Sequence, residues 1–231
     1  MTQPSDKPKR RRFRLRRILG IAGLLVIAAI GLGLVYLLYP RPVPQSEPIP
    51  IETLYSQFEG LQPVSAFSTI VEPQLRSAAL FTELGRVLQS PRCMNCHPAT
   101  DRPTQTDAMR PHTPWVSRGV DGGGEANMRC TTCHQAQNAE ASGVPGNPKW
   151  SLAPIEMAWQ GKSLGEICRQ LLDPTRSHMT REELLHHMAE DELVGWAWNP
   201  GGGRQPAPGT QEEFGLLVAA WLETGAQCPQ E

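Results

Sequence analysis

The sequence predicts a mainly α-helical fold with long loops, preceded by one transmembrane helix. Three observations carry that prediction. Apolar residues recur at helical spacing in five segments, and no convincing alternating strand pattern occurs. A charge-free apolar run occupies residues 18–39. Glycine (21) and proline (22) are frequent among the 231 residues, yet together stay below the ~25–30% of a low-complexity chain. Apolar residues at 39% and charged ones at 19% exclude a disordered polyelectrolyte. Aromatic residues make up only 6%, so the core is expected to be filled partly by something other than side chains.

Residues 1–17 form a basic segment with eight Lys and Arg against Asp6, a charge of +7, while the rest of the chain carries −8. A basic arm can bind nucleic acid, but the segment that follows removes that reading. Residues 18–39 number 22, and at ~1.5 Å rise they span ~33 Å, enough for a ~30 Å hydrocarbon core. A cleaved signal peptide would have a shorter apolar region and a small-residue cleavage site, so an uncleaved anchor is expected. The excess of positive charge before the span keeps the N-terminus in the cytoplasm, where it can touch inner-membrane lipid. The expected location is the bacterial inner membrane, single-pass, with everything after the span on the periplasmic side. Residues 40–50 contain five prolines and read as a periplasmic linker of polyproline II character, up to ~34 Å long.

Residues 51–231 then form one domain. Segment 51–60 is a weak helix candidate. Segment 72–89 places Leu75, Ala78, Ala79, Leu84, Val87 and Leu88 at helical spacing and stops at Ser90-Pro91. Segment 162–173 carries Leu164, Ile167, Cys168, Leu171 and Leu172, an i, i+3, i+4, i+7, i+8 stripe, and ends before Pro174. Thr180 with Glu183 is a capping box opening a helix with Leu184, Leu185 and Met188. A second box, Thr210 with Glu213, opens 212–224, where Phe214, Leu217, Val218, Trp221 and Leu222 share a face.

The chemistry lies in Cys93-Met94-Asn95-Cys96-His97 and Cys130-Thr131-Thr132-Cys133-His134. Both are Cys-x-x-Cys-His, the attachment signature of c-type haem. Two thiols three positions apart project from one side of a helical turn and can form thioethers with both vinyl groups of one porphyrin. The adjacent histidine then supplies the proximal nitrogen. Two covalently attached haem c groups are therefore expected, on Cys93, Cys96, Cys130 and Cys133, with His97 and His134 as proximal iron ligands. The competing readings are a redox dithiol and a zinc site built from the motif cysteines, which would leave both histidines incidental. The motifs begin 37 residues apart, too close for two separate cytochrome domains. The fold class expected is thus a compact dihaem cytochrome c-like domain, mainly α with long loops.

Six-coordinate irons need distal ligands as well. On the Thr180 helix, His187 lies about 60° from Leu184 and borders the apolar face, while His186 at about 200° points away. His112 sits between the motifs in a proline-bounded loop, Arg110-Pro111-His112-Thr113-Pro114. His112 and His187 are the candidate distal ligands, Met157 is the alternative, and His178 reads as loop. Each histidine could equally be a surface or supporting residue. Cys168 and Cys228 remain, as a candidate disulfide or as two free thiols.

From residue 92 to 229 the chain resembles a family of small dihaem c-type cytochromes, often labelled isoquinoline 1-oxidoreductase subunit-like. The resemblance rests on Arg92-Cys93-Met94-Asn95-Cys96-His97-Pro98, Arg118-Gly119-Val120-Asp121-Gly122, Leu152-Ala153-Pro154 and Leu193-Val194-Gly195-Trp196-Ala197-Trp198-Asn199-Pro200-Gly201. The stretch from Arg204 to Pro208 and the closing Thr224-Gly225-Ala226-Gln227-Cys228-Pro229 add to it. It implies periplasmic electron transfer with redox protein partners, a molybdenum hydroxylase or a respiratory-chain component being candidates. It is also consistent with functional roles for His112, Met157 and His187. The expectation is an electron carrier, not an enzyme, tethered to the membrane. The alternatives are a dihaem peroxidase-like enzyme with one open haem iron, and a haem-based sensor or tether that carries no current.

Overall fold

Helix α1 (Pro73–Leu88) starts at a proline, which fits a first turn because that position has no helical partner for an N–H. Its buried face carries Ser77, Leu80, Phe81, Leu84, Val87 and Leu88, spaced i, i+3, i+4, i+7. The computed structural model describes residues 60–230. Three further helices enclose the core with α1, namely α3 (Leu164–Leu172), α5 (Arg181–Glu190) and α7 (Gln211–Glu223). Each opens with a complete capping box. The hydroxyls of Ser163, Thr180 and Thr210 accept the N–H of Glu166, Glu183 and Glu213, whose carboxylates accept the N-cap N–H in return.

Helix α7 packs against both α1 and α5. Its buried Trp221 meets Phe81 at 4.7 Å between ring centroids. The buried Ser77 hydroxyl donates to the Trp221 carbonyl at 3.3 Å and accepts the Gln227 N–H at 2.9 Å, fastening the chain after α7 to α1. Gly85 admits the start of α3, since a Cβ there would lie 2.6 Å from Leu164 Cδ2. A disulfide joins Cys168, fully buried on α3, to Cys228 beyond α7, with 5.6 Å between the Cα atoms.

Three single-turn helices, α2 (Pro91–Met94), α4 (Pro174–Ser177) and α6 (Glu192–Gly195), link these elements. Between α2 and α3 the chain forms two small antiparallel ladders. Strand β1 (Thr104–Gln105) pairs with β2 (Arg110–Pro111), and β3 (Gly124–Glu125) pairs with β4 (Met128–Arg129).

Two expectations are corrected. The described residues are partly helical, about 43%, and include short strands, so a mainly α class without strands does not hold. Two-residue strands are too short to show alternation, and the prolines and glycines around them suppress helix without forbidding a paired turn. The expected transmembrane helix and inner-membrane, periplasm-facing location are corrected as well. Among the described residues no helix is long and apolar enough to cross a membrane. The longest, α1, has 16 residues and includes Arg76, Glu83 and Arg86, giving a length of ~24 Å against a ~30 Å hydrocarbon core. The basic segment 1–17, the apolar run 18–39, the linker 40–50 and all but the last residue of the candidate helix 51–60 lie outside the described residues.

Candidate functional site

Each Cys-x-x-Cys-His motif closes into a helical turn. Around the first, the His97 N–H bonds the Cys93 carbonyl at 3.2 Å, and around the second the His134 N–H bonds the Cys130 carbonyl at 2.9 Å. This turn puts both cysteines and the histidine of each motif on one side.

The first motif lines a cleft of about 270 Å³, close to the lower end of the ~300–1,000 Å³ usual for small-molecule pockets. Cys93, Cys96 and His97 lie in its wall together with His187, Met179 and a mainly apolar remainder. The His97 Nδ1–H donates to the Met157 carbonyl oxygen at 2.6 Å, and the ring stacks on Trp159 at 3.5 Å between centroids. A carbonyl can only accept, so the proton is fixed on Nδ1 and Nε2 is left with its lone pair. Metal-bound histidines are held by the same device. Burial pushes the His97 imidazolium down to about 4, with the Met157 hydrogen bond opposing and the nearby His187 and Arg118 adding to the fall. Burial likewise lowers His187. Both rings are therefore neutral, as iron ligation requires.

The second site repeats the device at the surface. The His134 Nδ1–H donates to the Pro145 carbonyl at 2.8 Å, and the ring stacks on Trp150 at 4.5 Å and 7°. Burial lowers its pKa, against the Pro145 hydrogen bond. Strand β2 leads directly into His112, whose Nδ1–H donates to the Pro114 carbonyl at 2.9 Å. The His112 and His134 ring centroids are 6.0 Å apart. Two imidazoles bound to opposite faces of one metal ion, with metal–nitrogen bonds of ~2 Å, have centroids ~6 Å apart. The pair thus has the spacing of a bis-histidine iron site. Strand β4 leads into Cys130, and the β3–β4 turn is braced by Arg129, whose two terminal nitrogens each bond one Asp121 oxygen at 2.8 Å. The Arg129 contact holds the Asp121 carboxyl down at about 2.

The haem reading therefore fits the residues present. The dithiol reading fits less well. Burial raises the Cys93 thiol to about 12 and the Cys96 thiol to about 11, so as free thiols they stay protonated at neutral pH and are poor redox nucleophiles. Among the described residues no three His, Cys, Asp or Glu side chains converge on one point.

The remaining sequence candidates are placed as follows. Met157 is buried beside His97 and meets it through its backbone carbonyl. His186 faces outward, bonding Glu190 at 3.0 Å, and His178 ends α4 in the left-handed conformation. Sequence reasoning passed over Trp150, Trp159 and Arg92. Trp150 both stacks on His134 and lines the first cleft, so the two sites share a wall. Nothing in the local spacing marks these residues, because their contacts are made across the fold.

No family model, curated protein or solved structure matches the chain.

Proposed function

We propose that this protein is a dihaem c-type cytochrome that carries single electrons between redox protein partners. The observation that carries the reading is the 6.0 Å separation of His112 and His134, with both Nδ1 protons pinned on carbonyls and both Nε2 atoms left to bind iron. Haem iron, when attached, supplies one-electron chemistry between Fe(III) and Fe(II). The chain's part is to hold and tune the group. Cys93 and Cys96 anchor one porphyrin and Cys130 and Cys133 the other. His97 and His134 are the proximal ligands, with ring planes fixed by Trp159 and Trp150. His187, which shares the first cleft with His97, would bind the same iron, and His112 would bind the iron held by His134. Irons held on both sides by these side chains would leave no position for a substrate, which is what would separate a carrier from a peroxidase-like enzyme.

The test is low-temperature EPR with near-infrared MCD on the oxidised protein, after mass spectrometry has counted the attached haems. Two low-spin signals of bis-histidine type are expected. A stable high-spin iron that binds cyanide or peroxide would replace the carrier reading with the enzyme one, and absence of attached haem would end both.

A further inference from the structure

Among the described residues lining the first cleft, Arg92 alone carries a permanent charge. Its side chain is 1% exposed. One terminal nitrogen pairs with Asp107, and the guanidinium carbon lies 5.8 Å from the Trp196 ring centroid. Among the described residues the Nε–H has no hydrogen-bond partner. A second donor in the same cleft wall, the buried Trp159 Nε1–H, is also unpartnered. A buried donor without an acceptor is destabilising, the more so when it belongs to a charged group. Two such donors in one apolar cleft call for a ligand that brings its own acceptor oxygens. Arg204 adds positive charge near Arg92, held there by the carbonyls of Gly143, Pro200 and Gly201. The two guanidiniums outnumber the one carboxylate beside them, Asp107, and so favour a further anion.

We propose that Arg92 is the seat of an ionised carboxylate, a propionate of the haem bound at Cys93 and Cys96, with Trp159 Nε1 as an accessory donor. This rests on reading the cleft as a haem site. Its consequence is electrochemical. An ion-paired propionate stays ionised, and the retained guanidinium charge favours the less positive Fe(II) state. Arg92 therefore raises the potential of this haem and makes it independent of pH across the neutral range. The charged and titratable groups around Arg92 are Asp107, Arg204, Cys93 and Cys96. The two thiols are consumed as thioethers, and the cleft adds only His97 and His187, which are iron ligands in this reading.

The experiment is a spectroelectrochemical titration of the holoprotein between pH 5 and 9, wild type against Arg92→Gln and Arg92→Lys. In the wild type, the potential of the first haem is expected to be flat from pH 6 to 8. In Arg92→Gln it should fall at pH 8 by at least a tenfold change in the one-electron equilibrium, about 59 mV. It should also decline with pH as the unpaired propionate titrates, and Arg92→Lys should restore most of the loss. The second haem is the internal control. A wild-type potential that already slopes between pH 6 and 8 overturns the inference without any variant. So does an Arg92→Gln protein with both haems attached and low-spin whose first potential is unmoved. If mass spectrometry finds no haem on Cys93 and Cys96, it is the underlying haem reading that fails.

Discussion

Met157 meets His97 through a carbonyl oxygen, and a backbone group survives side-chain replacement. Met157→Leu, which keeps the apolar volume, is therefore expected to leave both low-spin EPR signals in place. His187→Ala and His112→Ala should each convert one signal to high spin and leave the other. Loss of a low-spin signal in Met157→Leu would instead make the thioether a ligand. A second test at this scale concerns Asp121, whose folded-state pKa of about 2 lies below the ordinary 3.8 because Arg129 grips its carboxylate. The unfolded chain takes up that proton first as pH falls. The stabilising contribution is thus complete above about pH 4 and lost on descent through about pH 2. An NMR titration of the Asp121 carboxyl should give a midpoint near 2 in the wild type and a higher one in Arg129→Ala, still below the ordinary value because the Gly123 N–H keeps its bond to Oδ1. Residues of this kind divide by range. The four motif cysteines, His97 and His134 stand out in sequence because each Cys-x-x-Cys-His set is contiguous. Arg92, Trp150 and Trp159 do not, because only the folded chain brings them to the two motifs and their cleft.

Elements were legible where local signals agreed with tertiary packing. The Thr180 and Thr210 boxes and the stripe through Ile167, Cys168 and Leu171 encode helices by themselves, and the fold buries those same faces. The two ladders were not legible, since a two-residue strand has no period to read and owes its place to the turn it flanks. The apolar run 18–39, which suggested a membrane helix, lies outside the described residues, and no described helix takes that role. The Cys168–Cys228 bridge is the main covalent tie between elements, closing a loop of 60 residues. Loop-closure entropy assigns such a link about 4 kcal/mol of stability, through its effect on the unfolded chain. Cys168→Ser with Cys228→Ser is expected to lose about that much in urea unfolding of the holoprotein, with both haems still attached. A loss below about 1 kcal/mol would mean that the haems already restrain the unfolded chain across the same span.

Across the whole molecule, the two sites have the same expected ligand set in different surroundings. His97 is pushed to about 4 by burial, and its cysteines line a cleft in the helical core. The second site sits among the β-ladder loops, with Cys133 exposed, while Cys130 is half-buried like Cys93 and Cys96. With axial ligands equal, burial and local charge are what remain to separate the potentials. Fe(III) carries one more positive charge than Fe(II), and a dry surrounding disfavours the more charged state. The buried first haem should therefore have the higher potential, helped by Arg92, and the exposed second haem the lower one. Trp150 touches the second site with its ring face and borders the first cleft, so an electron accepted at the surface has a short, downhill route inward. Redox titration of the wild type is expected to resolve two one-electron waves separated by at least a tenfold change in equilibrium constant, about 59 mV. His187→Ala should displace the upper wave and His112→Ala the lower. If His187→Ala moves the lower wave, burial does not order the pair, and the electron rests at the exposed haem instead.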